Sequence, residues 1–236
     1  MDTELFNFTF ALAEATICFL IYHFFVYEKV HAEQYSDSSK VTENDRLIIQ
    51  KRIWGGFILG IIPLITSFLF LDLGFSDLGF TVESLLKSIP ILGIMCGLIF
   101  AITFLTAKSP GNLAMYPEIK NKRWTRSLLL VSSLTWILYL TGYEVLFRGI
   151  LFTTSLGYIE LIPAIVINAS IYALVHVPKG ARETFAALLY GSLICYFTYT
   201  TNGIWVALIS HIALALSNEW FSVYYQIKEG NLEVVK

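Results

Sequence analysis

Seven apolar runs divide this chain, and each approaches the roughly 20 residues that a helix needs to cross a bilayer. They cover Leu5–Val26, Ile53–Leu71, Ile89–Ala107, Leu128–Phe152, Leu161–Val177, Phe185–Tyr199 and Ile204–Tyr225. The runs are apolar on every side, whereas strands of a membrane barrel alternate apolar with polar residues. Only 14% of the 236 residues are charged, against about 25% in soluble domains, so the chain cannot cover its own surface with polar groups. The expected fold class is therefore all-α, a polytopic membrane helical bundle of about seven transmembrane helices, with the lipid bilayer as its solvent. A net charge of −2 without a basic stripe excludes a nucleic-acid partner. Cys18, Cys96 and Cys195 lie far apart inside apolar runs and read as small core residues.

Two parts follow. Residues 1–127 form an N-terminal three-span region with cytoplasmic loops, and residues 128–236 form a four-span core. Glu28–Arg52 and Lys108–Arg126 are polar connections, while the mixed stretch Asp72–Ser88 reads as interfacial rather than spanning. The first run follows Met1-Asp-Thr-Glu, with no basic n-region, and is longer than the 7–15 residues of a signal h-region, so it reads as a retained span. Lys29, Lys40, Arg46, Lys51 and Arg52 follow the first span; Lys108, Lys120, Lys122, Arg123 and Arg126 follow the third. Lys179 and Arg182 follow the fifth, Lys228 and Lys236 the seventh, and the opposite side holds only Lys87. This alternation predicts an integral, multi-pass protein of the plasma (cell) membrane with its N-terminus outside and its C-terminus cytoplasmic.

Ionisable residues inside spans cost a few kcal/mol each on insertion scales and mark function by default. Glu144 and Arg148 lie four apart on the fourth span, on one helix face. His176 closes the fifth span, four residues after Tyr172, and His211 lies in the seventh. A glutamate and two histidines on three spans are the parts of a hydrolytic site: a carboxylate to take a proton from water, an imidazole to hold that water or an oxyanion. Two blander readings compete. Glu144 with Arg148 forms a structural ion pair in one, and each histidine bonds a neighbouring helix in the other. Glu14 and His23 on the first span read as packing or lining residues.

Three short motifs on these spans, in order, resemble the CAAX protease and bacteriocin-processing (CPBP, or Abi) family of membrane endopeptidases. They are Tyr143-Glu144-x-x-x-Arg148, then Tyr172-x-x-x-His176, then His211-x-x-x-Ala215, within Leu128 to Tyr225. The resemblance implies a peptidase that cleaves a peptide or protein substrate reached through the membrane, with Glu144, Arg148, His176 and His211 catalytic. In this reading Glu144 is the surviving carboxylate, Arg148 holds it, His176 positions water and His211 donates to the oxyanion. Tyr143 and Tyr172 line the substrate pocket. The chain departs from the family pattern at Tyr143, where a glutamate stands in the family, and at Ala215, where an asparagine stands. An unperturbed phenol titrates near 10, which makes Tyr143 a poor base. Asn218 lies about 10 Å beyond His211 along the helix and does not replace the asparagine.

No cofactor is expected. The alternative is a zinc ion held by Glu144, His176 and His211 with an open position for water. Two other functions remain open beside the peptidase: a catalytically impaired relative that binds a partner, as a scaffold or bacteriocin-immunity protein, and a small transporter with Glu144 and His211 in a proton relay. Straight helices pose a further problem. They separate His176 from Glu144 by about 10–15 Å along the membrane normal, and loop charge puts Glu144 and His211 nearer the outer side, although CAAX-type relatives open to the cytosol.

Overall fold

The computed structural model describes residues 2–30 and 44–235, so Lys40 and Lys236 of the charge count lie outside the described residues. Its helices are α1 (Thr3–Val30), α2 (Asp45–Phe70), α3 (Val82–Thr106), α4 (Pro110–Met115), α5 (Arg126–Tyr158), α6 (Leu161–Leu174), α7 (Ala181–Thr201) and α8 (Trp205–Lys228). All seven apolar runs are helical. Among the described residues five helices, α1, α2, α3, α5 and α8, are long and apolar enough to cross a membrane. The only strands among these residues are β1 (Arg123–Thr125) and β2 (Glu233–Val235), a short parallel pair that ties the chain's C-terminal end to the start of α5. The protein is an all-α membrane bundle.

Lipid replaces water around it. Leu86, Ile94, Leu98, Ile102 and Leu105 all stand exposed along α3, an apolar face that water would not tolerate on this scale. The stretch read as interfacial is helical in its second part. Only residues 72–81 are irregular, and α3 begins at Val82, seven residues before the expected Ile89. The Thr81 hydroxyl accepts from the Ser84 backbone N–H at 3.1 Å and caps the helix, and Glu83 sits in its first turn. A cap and an acid at the positive end of the helix dipole outweigh the low hydropathy of that turn.

α2 and α5 pack through glycine. A Cβ on Gly60 would lie 2.5 Å from the Gly142 Cα, so neither position has room for a side chain. This contact fixes the helix that carries Glu144 against its neighbour, as small residues do in membrane bundles. Directly after Glu144 the helix widens into a π-helical segment, Val145–Phe152. There the Phe147 carbonyl accepts from the Asn168 side-chain amide at 2.6 Å, and the Asn168 oxygen accepts from the Cys195 thiol at 3.1 Å. One widened turn thus ties α5 to α6 and α7. Cys18 and Cys195 are buried and all three cysteines are free. Glu14 has a partner that sequence could not name, the Thr66 hydroxyl on α2.

A buried ionic network holds the end of the bundle where the basic loops lie. Glu118 takes Lys51, and it takes Arg52 through Nη2 at 2.8 Å. Arg52 donates to the Ser132 hydroxyl at 2.9 Å, and Ser132 donates to Glu219 Oε1 at 2.6 Å. Burial pushes the Glu118 carboxyl up, but the Lys51 and Arg52 charges outweigh it and hold it at about 2. A depressed folded value stabilises the protein above the ordinary value and loses that stabilisation as pH falls through the folded value. Thermal melting in detergent should therefore show full stability above about pH 5 and a decline toward pH 2. Glu118→Gln should be less stable at pH 7 and should flatten this decline; a decline as steep as the wild type's would assign it to other carboxylates.

Candidate active site

Glu144 is fully buried, and two neighbours hold its carboxylate. His211 Nδ1 donates to Glu144 Oε1 at 2.5 Å. Arg148 Nη1, one turn along α5, lies 3.1 Å from Oε2. The Arg148 guanidinium in turn lies over the Tyr172 ring, 4.2 Å from its centroid. α5 and α8 thereby meet at one carboxylate, and α6 packs on its arginine partner. An unpaired buried charge costs several kcal/mol, whereas a charge-assisted hydrogen bond and an ion pair offset most of that cost.

A cavity of about 280 Å³ opens beside this cluster. Tyr143, Tyr172, His176 and His211 all line it, as do Trp136, Tyr190 and Ala215. The structure thus brings both histidines to one wall, and it puts Glu144 and Arg148 behind that wall. Because Nδ1 of His211 is taken by Glu144, Nε2 is its nitrogen for a ligand. Glu144 itself does not line the cavity and connects to it through His211. The His176 ring is fixed by Nδ1 donating to the Tyr172 carbonyl at 2.8 Å and lies 4.7 Å from the Tyr172 ring.

The depth problem has a structural answer. α6 ends at Leu174 after 14 residues, which at about 1.5 Å per residue is some 21 Å. His176 lies past this end, before the turn Val177–Lys179, and reaches the wall that His211 shares. The cavity also reaches the connections between helices. Its lining includes Tyr27 at the end of α1, Tyr116 after α4, and Pro178 and Glu183 at the α6–α7 turn. All four sit at connections that carry the excess of Lys and Arg. The chamber runs from His211 to these connections.

Tyr143 lines the cavity beside Tyr172 and His211. Its ring stacks on Phe147 at 4.5 Å and meets His211 edge-on at 5.8 Å. The Tyr143 hydroxyl is buried without a hydrogen-bond partner among the described residues, at a typical cost of about 1–3 kcal/mol. Ala215 lines the cavity with a methyl group, and the Asn218 amide is turned to the Leu214 carbonyl at 2.9 Å. Among the described residues no group of three His, Cys, Asp or Glu side chains is arranged to hold a metal ion, Glu144, His176 and His211 included.

Sequence reasoning missed several residues here. Glu219, which belongs to the network of Arg52 and Ser132 and not to this cavity, lies inside an apolar run, and an acid in such a run is itself a signal. Tyr190 and Trp136 gave no signal beyond being aromatic. His23, read as a lining residue, does line the cavity, together with Phe19, Tyr22 and Tyr27 of α1.

Residues 125–217 match the family model described as Type II CAAX prenyl endopeptidase Rce1-like. The match begins at the cap of α5 and ends in α8, so it contains Tyr143, Glu144, Arg148, Tyr172, His176 and His211. Over this stretch the chain has the likeness to CAAX-type membrane proteases, of the CPBP family, that its motifs carry. No curated protein and no solved structure matches the chain. α1 and its part of the cavity wall lie outside the matched residues.

Proposed function

We propose that this protein is a membrane-embedded endopeptidase of the CAAX type, hydrolysing a peptide bond in a peptide or protein substrate that reaches the cavity through the membrane or its interface. The observation that carries the reading is the 2.5 Å contact between Glu144 and His211 on a cavity wall shared with His176. His211 Nε2 takes a proton from water as the water oxygen attacks the scissile carbonyl. Glu144 holds the Nδ1–H and balances the imidazolium that forms, as a buried carboxylate does for a general-base histidine. Arg148 keeps that carboxylate placed. His176 holds the water from the other side, and Tyr143 and Tyr172 line the substrate pocket. No metal is required. With the N-terminus outside and the C-terminus cytoplasmic in the plasma membrane, the chamber opens to the cytosol. Residues 128–236 supply the chemistry and residues 1–127 close the chamber.

A second reading has its own support. Tyr143 and Ala215 stand where the family has a glutamate and an asparagine, which favours a catalytically impaired relative that binds a partner in the same cavity. The two separate on one experiment: purified, detergent-solubilised full-length protein against a mixed peptide library, with His176→Ala in parallel. Cleavage by the wild type that falls by about 10²–10⁴ in the variant supports the peptidase. A folded wild type that cleaves nothing sinks it and leaves the binding protein.

A further inference from the structure

Glu183, in the first turn of α7, is an acid that lines the chamber with nothing to balance it. We propose that the cavity takes peptides carrying a lysine or arginine side chain close to the scissile bond, and that Glu183 is the residue that selects them. The proposal rests on the endopeptidase reading above and names the substrate class of that site. Among the described residues Glu183 is the cavity's only acid, and no lysine or arginine lines it. The side chain is half-buried, and neither carboxylate oxygen is shut off from solvent as the Tyr143 hydroxyl is. It makes no hydrogen bond or ion pair with the described residues. Arg182, its neighbour in sequence, is exposed and does not line the cavity. An acid in a first turn also complements the helix dipole, but walls free of lysine and arginine do not follow from that role.

Charges behind the walls cancel. Lys51 and Arg52 meet Glu118 and Glu219, and Arg148 meets Glu144. Three histidines line the chamber as well, bases rather than fixed cations. Glu183 therefore remains as its uncompensated charge. The aromatic walls suit the same ligand. A cation within about 6 Å of a ring centroid is drawn to the ring face, and lining rings of this cavity already show it: Arg52 lies over Trp136 at 4.0 Å and Lys51 over Tyr27 at 5.6 Å. Tyr116 and Tyr139 line the cavity too, and among the described residues neither has a cation over it. Burial, then the Glu118 and Glu183 charges, push the Tyr116 phenol up, which puts that ring within the field of Glu183.

The subsite adjoins the chemistry. Glu183 follows His176 across the turn Val177–Lys179, and both side chains line the one chamber. A peptide laid from His211 toward the helix connections passes Glu183. The apolar stem of a lysine or arginine then lies against the rings while its charged head meets the carboxylate. Norleucine keeps a stem of the same length and has no head, so it meets the rings alone.

The test uses full-length protein in detergent and mixed peptide libraries that differ only in lysine, norleucine or glutamate at one central position. We expect kcat/KM for the lysine library to exceed that for the norleucine library by about 10- to 100-fold, the range of a hydrogen bond to a charged group. Binding of the same libraries to His211→Gln, which does not turn them over, should show the same order. Glu183→Gln should bring lysine and norleucine within about threefold of each other, and Glu183→Lys should turn the preference toward glutamate. Thermal melting checks that both variants fold. A lysine preference below about threefold in binding, or one that Glu183→Gln leaves intact, overturns the proposal. A wild type that cleaves nothing overturns the peptidase reading, and the ligand class is then decided on the binding series alone.

Discussion

His211→Gln should abolish peptide cleavage, lowering kcat by about 10⁴ or more, while the protein inserts and melts as the wild type does. The size follows from what the side chain supplies. Its Nε2 is the nitrogen left for water once Glu144 holds Nδ1, and removing an essential general base typically takes away the whole catalytic unit rather than a fraction. Glutamine keeps a hydrogen-bonding side chain near Glu144 and so spares the fold. Peptide turnover in detergent checks this, and a variant within tenfold of the wild type would remove His211 from the chemistry.

Arg148→Ala carries the largest effect on stability, a loss of about 3–5 kcal/mol. Both partners of the ion pair are fully buried, so the variant leaves the Glu144 carboxylate uncompensated where water cannot reach it. The double variant Glu144→Gln with Arg148→Met should recover most of the loss, since a neutral pair has no charge to bury. It should not recover cleavage: kcat should stay low with KM little changed, because glutamine cannot balance the imidazolium. Denaturation in micelles and turnover on the same samples read the two effects apart. Recovery of both would make Glu144 structural, and recovery of neither would mean that the pair also packs the core.

Much of this was legible in the sequence because a bilayer imposes a coarse code. Apolar runs have to be helices, and a glutamate, an arginine and two histidines inside them have to find partners. Glu144, Arg148 and His211 do meet, as the i,i+4 spacing and the apolar surroundings required. Boundaries were less legible. Thr81 begins α3 seven residues early because a cap acts through one hydroxyl, which averaged hydropathy cannot register. The depth of His176 was illegible for a different reason. Straight-helix arithmetic assumes that every apolar run spans, whereas the fifth stops short and its last residues turn into the chamber. The sealing of Glu144 behind His211 depends on which of two adjacent side chains, Tyr143 or Glu144, faces the cavity, and helical phase near a π-helical turn is not set by 100° steps.

The short α6 has a consequence for the lipid around it. A helix of about 21 Å lies against a hydrocarbon layer of about 30 Å, and Ile162, Val166 and Leu174 stand exposed along it. The mismatch is met by a thinned bilayer beside α6, or by water drawn toward the turn that follows it. The cavity that both histidines line would then sit next to the thinnest part of the barrier. Membrane thickness would then bear on this cavity directly, since a stiffer, thicker bilayer resists such thinning.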